Sequence, residues 1–259
     1  MAPLLSVKNV RREFNVRGKN VLALDTLNLA LDEGEFVTVV GPSGCGKSTL
    51  LNLVVGLLPP SAGQILFRGR AVNGINPEIG YVTQKDNLLP WRSLIENVEL
   101  SLEIRGIEKS ARRRRAGELI ERVGLKGFED HYPHELSGGM RQRANIIRTL
   151  IYDPELILMD EPFGPLDAQT RIVLQEQLLK LWFASRKTIL FITHDLVEAI
   201  TLADRVVVMT SRPGRVKHIA AVPIARPRDV YEIHASAAFR EVYDTLWREL
   251  RPEVNMAEA

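Results

Sequence analysis

Cysteine is almost absent. A single residue, Cys45, stands in 259 positions, which excludes an internal disulfide and fits a reducing cytosol. No pair of zinc-spaced cysteines exists either. Neither sign of charge is in excess: 34 Lys and Arg against 32 Asp and Glu leave +2, short of the strongly basic balance of a dedicated nucleic-acid binder. Long apolar runs are missing too. The most apolar stretch, LLNLVVGLLPP, stops at Pro59-Pro60, well below the roughly 18–20 residues of a spanning helix. The first residues, MAPLLSVKNVRREF, lack the basic-then-apolar order of a secretory signal. Internal repeats and low-complexity tracts are absent. With 45% hydrophobic and 25% charged residues, the chain has the composition of a globular protein with a real core. Any membrane role is therefore expected to come through a partner.

The apolar pattern changes character along the chain. Leu22 and Leu24, then Leu27, Leu29 and Leu31, recur at a spacing of two, which predicts half-buried antiparallel strands. FVTVV (36–40), IGYVT (79–83), LILM (156–159) and TILFIT (188–193) are short and nearly continuous. Such runs suit parallel strands covered on both faces. Helical patterns lie between them, as in STLLNLVVGLL and AQTRIVLQEQLLKLW. Residues from about 88 to 150 read as helical, an insertion in an α/β fold. From about 205, RVVVMT and RVKHIAAVPI predict further strands, closed by the helix FREVYDTLWREL. The last residues, PEVNMAEA, are expected to fray.

The chemistry gathers at strand ends. GPSGCGKS runs from Gly41 through Pro42, Ser43, Gly44, Cys45, Gly46 and Lys47 to Ser48. It matches a complete phosphate loop, set after an apolar strand and before a helix. Glycines let backbone amides approach phosphate oxygens, Lys47 supplies charge to the β and γ phosphates, and Ser48 is suited to Mg²⁺. Cys45 reads as small-residue filler. LILMDEP places Asp160 and Glu161 at the end of a second strand, one suited to Mg²⁺ and its neighbour to polarising a water. Gln84 follows a third run and His194 a fourth. Singly, Gln84 reads as a surface amide and His194 as a packed or solvated imidazole. Together they suggest one ligand site outside the carboxyl ends of a parallel sheet. A second anion-holding device, Ser137-Gly138-Gly139, opens a later helix but has no lysine beside it.

Phosphate loop, glutamine, LSGGM, LILMDEP and histidine, in this order over about residues 5 to 220, resemble the ATP-binding cassette family. The resemblance implies a P-loop nucleotide-hydrolase core with a mainly parallel sheet, an N-terminal antiparallel β subdomain and a helical insertion, all in one domain spanning 1–259. It implies ATP and Mg²⁺ as ligands, with the metal at Ser48, Gln84 and Asp160. It also answers why one device lacks its cation: two cassettes face head to tail, and Ser137, Gly138 and Gly139 of one close over the γ-phosphate held by Lys47 of the other. By the same resemblance Thr49 binds the α-phosphate, Glu161 is the general base, His194 contacts the γ-phosphate, and Asp167 lies in the loop passing between the sites. Phe14 matches the aromatic that stacks on adenine; a core phenylalanine is the other reading. Met140 and Pro165 depart from the usual pattern of the signature and of the Leu-Asp loop, and Pro165 is expected to stiffen that loop.

NLLPWRSLIENV (87–98), SRPGR and the VYDTLW helix resemble the branch serving importers of nitrate, sulfonates and taurine. This implies a homodimer on the cytoplasmic face of a bacterial membrane, two permease subunits, a separate solute-binding protein and no nucleic acid. A soluble ATPase acting on nucleic acid or ribosomes is the alternative. Leu88, Leu89 and Trp91 are expected as exposed apolar side chains for a permease helix, the alternative being that Trp91 packs in its own domain. Arg112 to Arg115 read as a solvated face. His131 and His134 read as loop residues, and Trp182 and Trp247 as helix-face packing.

Overall fold

The computed structural model describes residues 2–258. Strands β1 (Leu5–Val16) and β2 (Lys19–Leu31) pair antiparallel, and β4 (Ala62–Phe67) and β5 (Arg70–Ala71) extend them in the order β2-β1-β4-β5. The leucine alternation shifts phase between Leu24 and Leu27 because the ladder is irregular there. Asn9 and Thr26 both sit at φ 49°, and the Asn28 carboxamide accepts the Asn9 N–H at 2.8 Å and donates to Asn9 Oδ1 at 3.0 Å. The bulge re-aims Leu27, Leu29 and Leu31 into the core.

The larger sheet has the order β10-β9-β3-β8-β7-β6. It comprises β3 (Phe36–Val40), β6 (Ile79–Val82), β7 (Leu156–Asp160), β8 (Thr188–Ile192), β9 (Arg205–Met209) and β10 (Val216–Ala221). Five of these strands are parallel; β10 alone runs antiparallel, on β9. The continuous apolar runs follow from two covered faces. Phe36, Ile157, Met159, Ile189, Phe191 and Val206 pack on α5 (Ala168–Ser185), α6 (Leu196–Leu202) and α7 (Ala237–Glu258). Their neighbours Val37, Val39, Leu156, Leu158, Leu190, Ile192 and Val207 pack on α1 (Lys47–Val54) and the smaller sheet. Trp182 of α5 meets Phe36 edge-on at 5.9 Å and donates its indole N–H to Lys187 O at 2.7 Å. Trp247 differs from expectation. It is 42% exposed, one step around α7 from the buried Leu246.

Between β6 and β7 the described residues form α2 (Leu94–Ile104), α3 (Lys109–Arg122) and α4 (Gly138–Leu150), around a cluster of their own that includes Leu94, Val98, Ile120 and Ile147. The arginine run is only half a solvated face. Successive helix residues point about 100° apart, so Arg112 and Arg113 turn toward α2, with Nε atoms 3.4 and 3.2 Å from the carboxylate of buried Glu99. Arg114 and Arg115 remain exposed. Leu88, expected outside, is buried in this cluster, Leu89 is half-buried, and Trp91 alone of the three projects, at 70% exposure. The packed-Trp91 alternative is thereby excluded. His131 stands in the loop before α4, against Phe128, whereas His134, expected in a loop, lies in a single 3-10 turn, Pro133–Glu135, stacked on Tyr132.

The C-terminal end also departs from expectation. Helix α7 continues through Pro252 to Glu258, because Lys217 donates to Glu249 O at 2.8 Å and pairs with buried Glu253 at 2.9 Å. Those ties hold the turn that Pro252, without an N–H, weakens.

Candidate active site

Strand β3 is where the sheet order reverses, with β8 on one side and β9 on the other, and ligands bind at such a switch point. The loop leaving β3 wraps into α1. Gly46 takes φ 108°, and a Cβ there would lie 2.6 Å from Leu24 Cδ2, so the position requires glycine. Cys45 is buried against Gly41, whose own Cβ would meet its sulfur at 2.9 Å. Burial pushes its thiol above the ordinary range, as expected of inert filler. Lys47 Nζ donates to Gly41 O at 2.8 Å and Pro42 O at 3.0 Å, and lies 4.0 Å from Glu161 Oε1.

The acidic pair closes the other side. Ser48 Oγ donates to Asp160 Oδ1 at 3.1 Å and the Tyr81 hydroxyl to Asp160 Oδ2 at 3.4 Å. Burial raises Asp160 above the usual carboxylate range, with the Ser48 hydrogen bond opposing and the charge on Glu161 adding. Burial, with Asp160, raises Tyr81 as well, which keeps it a neutral donor. Glu161 adopts φ 42°, with its N–H on Ile192 O at 3.0 Å, a strained geometry of the sort that collects at functional positions. Its Oε2 lies 3.1 Å from Nδ1 of His194, which is 60% exposed. A hydroxyl and a desolvated carboxylate held side by side are hard oxygen donors. They suit Mg²⁺, which keeps its waters and takes only one or two protein oxygens besides phosphate. No group of three His, Cys, Asp or Glu side chains forms a metal cluster among the described residues.

A cleft of about 600 Å³ runs past these groups. Phe14, Ser43, Gly44, Gly46, Lys47, Ser48, Thr49, Gln84 and Glu161 line it, together with Val16, Val21, Ala23 and Arg212. Phe14 faces the cleft rather than the core, under the Arg12 guanidinium at 4.6 Å. Ser137, Gly138 and Gly139 do not line it. They open α4, where Ser137 Oγ accepts the Met140 N–H at 3.3 Å and Gly139 packs against Thr170 of α5.

The signature helix is nonetheless wired to the glutamine loop. Arg141 Nε donates to Asp86 Oδ2 at 3.0 Å, Asn145 to Thr83 O at 3.1 Å, and Arg148 to the carbonyls of Asp86 and Asn87 at 2.5 and 2.8 Å. The reading of the sequence missed these three, although their i, i+4, i+7 spacing marks one helix face. A similar link joins the Asp167 loop to His194. Asp167 caps α5 through Thr170 N at 3.0 Å, while Arg171 bonds Leu166 O at 3.2 Å and Asp195 at 3.3 Å. Arg212 and Tyr81 were also missed. Arg212 reaches the cleft from a turn about 170 residues beyond the phosphate loop, and no local pattern announces that.

A phosphate loop at the switch point, with a strand-end acidic pair and a mainly parallel sheet, defines a P-loop nucleotide hydrolase. The sequence profile described as ABC transporter matches residues 24–164. An uncharacterized ABC transporter ATP-binding protein of Methanocaldococcus jannaschii is 49% identical over 250 residues, 96% of this chain and 92% of that protein. The taurine import ATP-binding protein TauB of Rhizobium johnstonii is 46% identical over 250 residues, covering 94% of this chain and 95% of TauB. Among solved structures, a dimeric post-hydrolysis ATP-binding cassette with ADP and phosphate bound superposes with TM-score 0.76 at 33% identity, over 85% of this chain and all of that one. The chain belongs to the ABC transporter family, as an ATP-binding subunit, and is an ATPase.

Proposed function

We propose that this ATPase energises import of a small solute, of the nitrate, sulfonate or taurine kind, through two permease subunits served by a separate solute-binding protein. The observation that carries the reading is Trp91. It is an exposed indole on a loop that buried Asn97 holds through Leu89 N and the carbonyls of Leu89, Arg92 and Ser93, at 2.7 to 3.1 Å. A rigidly held aromatic in water suits a docking groove for a membrane subunit. No helix among the described residues is long and apolar enough to cross a membrane, so attachment through a partner at the cytoplasmic face fits. The identity to a taurine import protein supports the branch.

In this reading residues 1–259 are one ATPase domain, with 88–150 as its helical part and 205–259 as its C-terminal strands and helix. Phe14 stacks the adenine, and the amides of the Gly41–Gly46 loop with Lys47 and Thr49 hold the phosphates. Ser48, Asp160 and Gln84 would hold Mg²⁺, which when bound neutralises charge on the β and γ oxygens. Glu161 accepts a proton from the attacking water, while His194 orients Glu161 and reaches the terminal phosphate. Ser137, Gly138 and Gly139 lie outside their own cleft, which supports their use on the nucleotide of a second copy. ATP then favours the closed pair because only that pair makes the extra contacts.

The test is to tag the chain in its own host and identify what sediments with it. Recovery with a multi-spanning subunit, lost on Trp91→Ala, is the expected result. The companion binding protein is then screened against nitrate, taurine and other sulfonates. Association with ribosomes or nucleic acid instead would replace this reading with the soluble one.

A further inference from the structure

The turn joining β9 to β10, residues 210–215, is built against the phosphate loop. Gly214 N–H donates to Ala23 O at 2.9 Å and its carbonyl accepts from Asp25 N at 3.1 Å, so the turn is bonded to β2 where β2 walls the cleft. A Cβ on Gly214 would fall 2.1 Å from Cys45 O, which reserves the position for glycine. Arg215 forms an ion pair with Asp25. On the other side, the Glu253 carboxylate of α7 accepts from Ser211 N at 2.8 Å and Ser211 Oγ at 3.2 Å. Between these anchors stand Arg212 and Pro213, and Arg212 carries the charge.

Its guanidinium lies over the phosphate loop. One Nη donates to Gly44 O at 3.1 Å, and a Cβ on Gly44 would stand 3.5 Å from it. That uses one of five N–H donors. Arg215, three residues on, is neutralised by Asp25, whereas Arg212 makes no ion pair among the described residues, is exposed, and lines the cleft. An unneutralised guanidinium held at both flanks beside a cradle of backbone amides is a phosphate-binding arrangement. Its place along the cleft follows from its anchors. Lys47 and Glu161 mark the end where the terminal phosphate reacts, and Phe14 with Val21 the end of the base. The Arg212 turn is bonded to Ala23, two residues beyond Val21.

We propose that Arg212 is a nucleotide-affinity residue whose guanidinium contacts the α-phosphate and ribose portion of bound ATP or ADP. The proposal rests on reading the cleft as the nucleotide site. That portion is the same in ATP, ADP and the transition state, so Arg212 contributes uniform binding. Arg212→Gln therefore raises KM for ATP and the Kd for MgADP by a common factor of about ten, the scale of one charge-assisted hydrogen bond. Its kcat stays within about twofold. Arg212→Lys recovers part of the loss.

The experiment is calorimetric titration of the full chain with MgADP, alongside steady-state ATPase kinetics, at about 0.05 and 0.5 M salt. Lys47→Ala serves as the control for the cleft. Support is a joint rise in KM and Kd that shrinks at high salt, because an exposed cation is screened. A loss of affinity independent of salt and accompanied by a lower kcat would mean that the glutamine merely distorts the loop through Gly44, and overturns the proposal. So does unchanged ADP affinity in Arg212→Gln while Lys47→Ala loses it; the cleft reading then survives alone. If Lys47→Ala also binds MgADP normally, the cleft reading falls and takes this proposal with it.

Discussion

Two carboxylates one helix apart do opposite things. Glu161 sits partly open to the cleft, between Lys47 and His194, and so is available to a water. Glu161→Gln should bind ATP yet hydrolyse it slower by roughly 10²–10⁴-fold, the range for a lost general base; single-turnover assays decide, and near-normal turnover would remove Glu161 from that role. Glu198 is sealed between α5 and α6, accepting from Gln175 at 3.1 Å. Burial pushes its carboxyl up to about 7 from an ordinary 4.5, against the Thr193 hydrogen bond and with the charge on Asp195 adding. The folded chain therefore keeps a proton that the unfolded chain releases. The stability this group lends is full below about pH 4.5, declines as pH rises, and is gone above about pH 7, a swing of about 3 kcal/mol. Glu198→Gln cannot titrate, so its Tm should gain on the wild type between pH 5 and pH 7.5. A constant difference across that range would show that Glu198 stays ionised.

At the scale of elements, what could be read from the sequence divides by the range of the interaction. The phosphate loop is legible from Gly41 to Thr49 because strand, turn and helix follow one another along the chain. The parallel strands are legible because burial on both faces writes itself into uninterrupted runs such as FVTVV. Contacts between elements leave no such trace. Nothing local in ARRRRAG distinguishes Arg112 and Arg113, which meet Glu99, from Arg114 and Arg115, which meet water. Leu88 and Trp91 carry the same apolar signal on one loop, yet one is buried and the other projects. Pro252 argues for a helix end, and the tie from Lys217 overrides it. The Glu99 cluster allows a direct check. Glu99→Ala leaves two guanidinium groups facing an apolar helix junction and should cost about 2–4 kcal/mol, somewhat less than the roughly 3–5 kcal/mol of a fully buried pair because both arginines reach water. Urea denaturation measures it. A cost under about 0.5 kcal/mol would place the pair among surface bridges that contribute little.

Across the whole molecule, the notable fact is where the LSGGM segment is not. Ser43, Gly44, Gly46, Lys47, Ser48, Thr49, Gln84 and Glu161 line one cleft, with Asp160 bonded to Ser48 and His194 to Glu161 beside it, while Ser137, Gly138 and Gly139 stand apart at the start of α4. Their helix is nevertheless coupled to that cleft, through Arg141, Asn145 and Arg148 to the Thr83–Asn87 segment that carries Gln84. Such wiring has a use if the segment acts on a second copy: closure over a neighbour's nucleotide would be felt at the chain's own glutamine loop, and from there at the loop presenting Trp91. The consequence is testable with one substitution away from the cleft. In a Glu161→Gln background, where bound ATP persists, light scattering should show an ATP-dependent doubling of mass. Adding Ser137→Arg puts a bulky cation where the hydroxyl caps α4 and should abolish that doubling while leaving ATP affinity of the single chain unchanged. Persistence of the dimer would mean that the second phosphate-holding device serves something other than a neighbouring cassette. Loss of ATP binding along with the dimer would mean that Ser137 acts on its own chain's cleft after all.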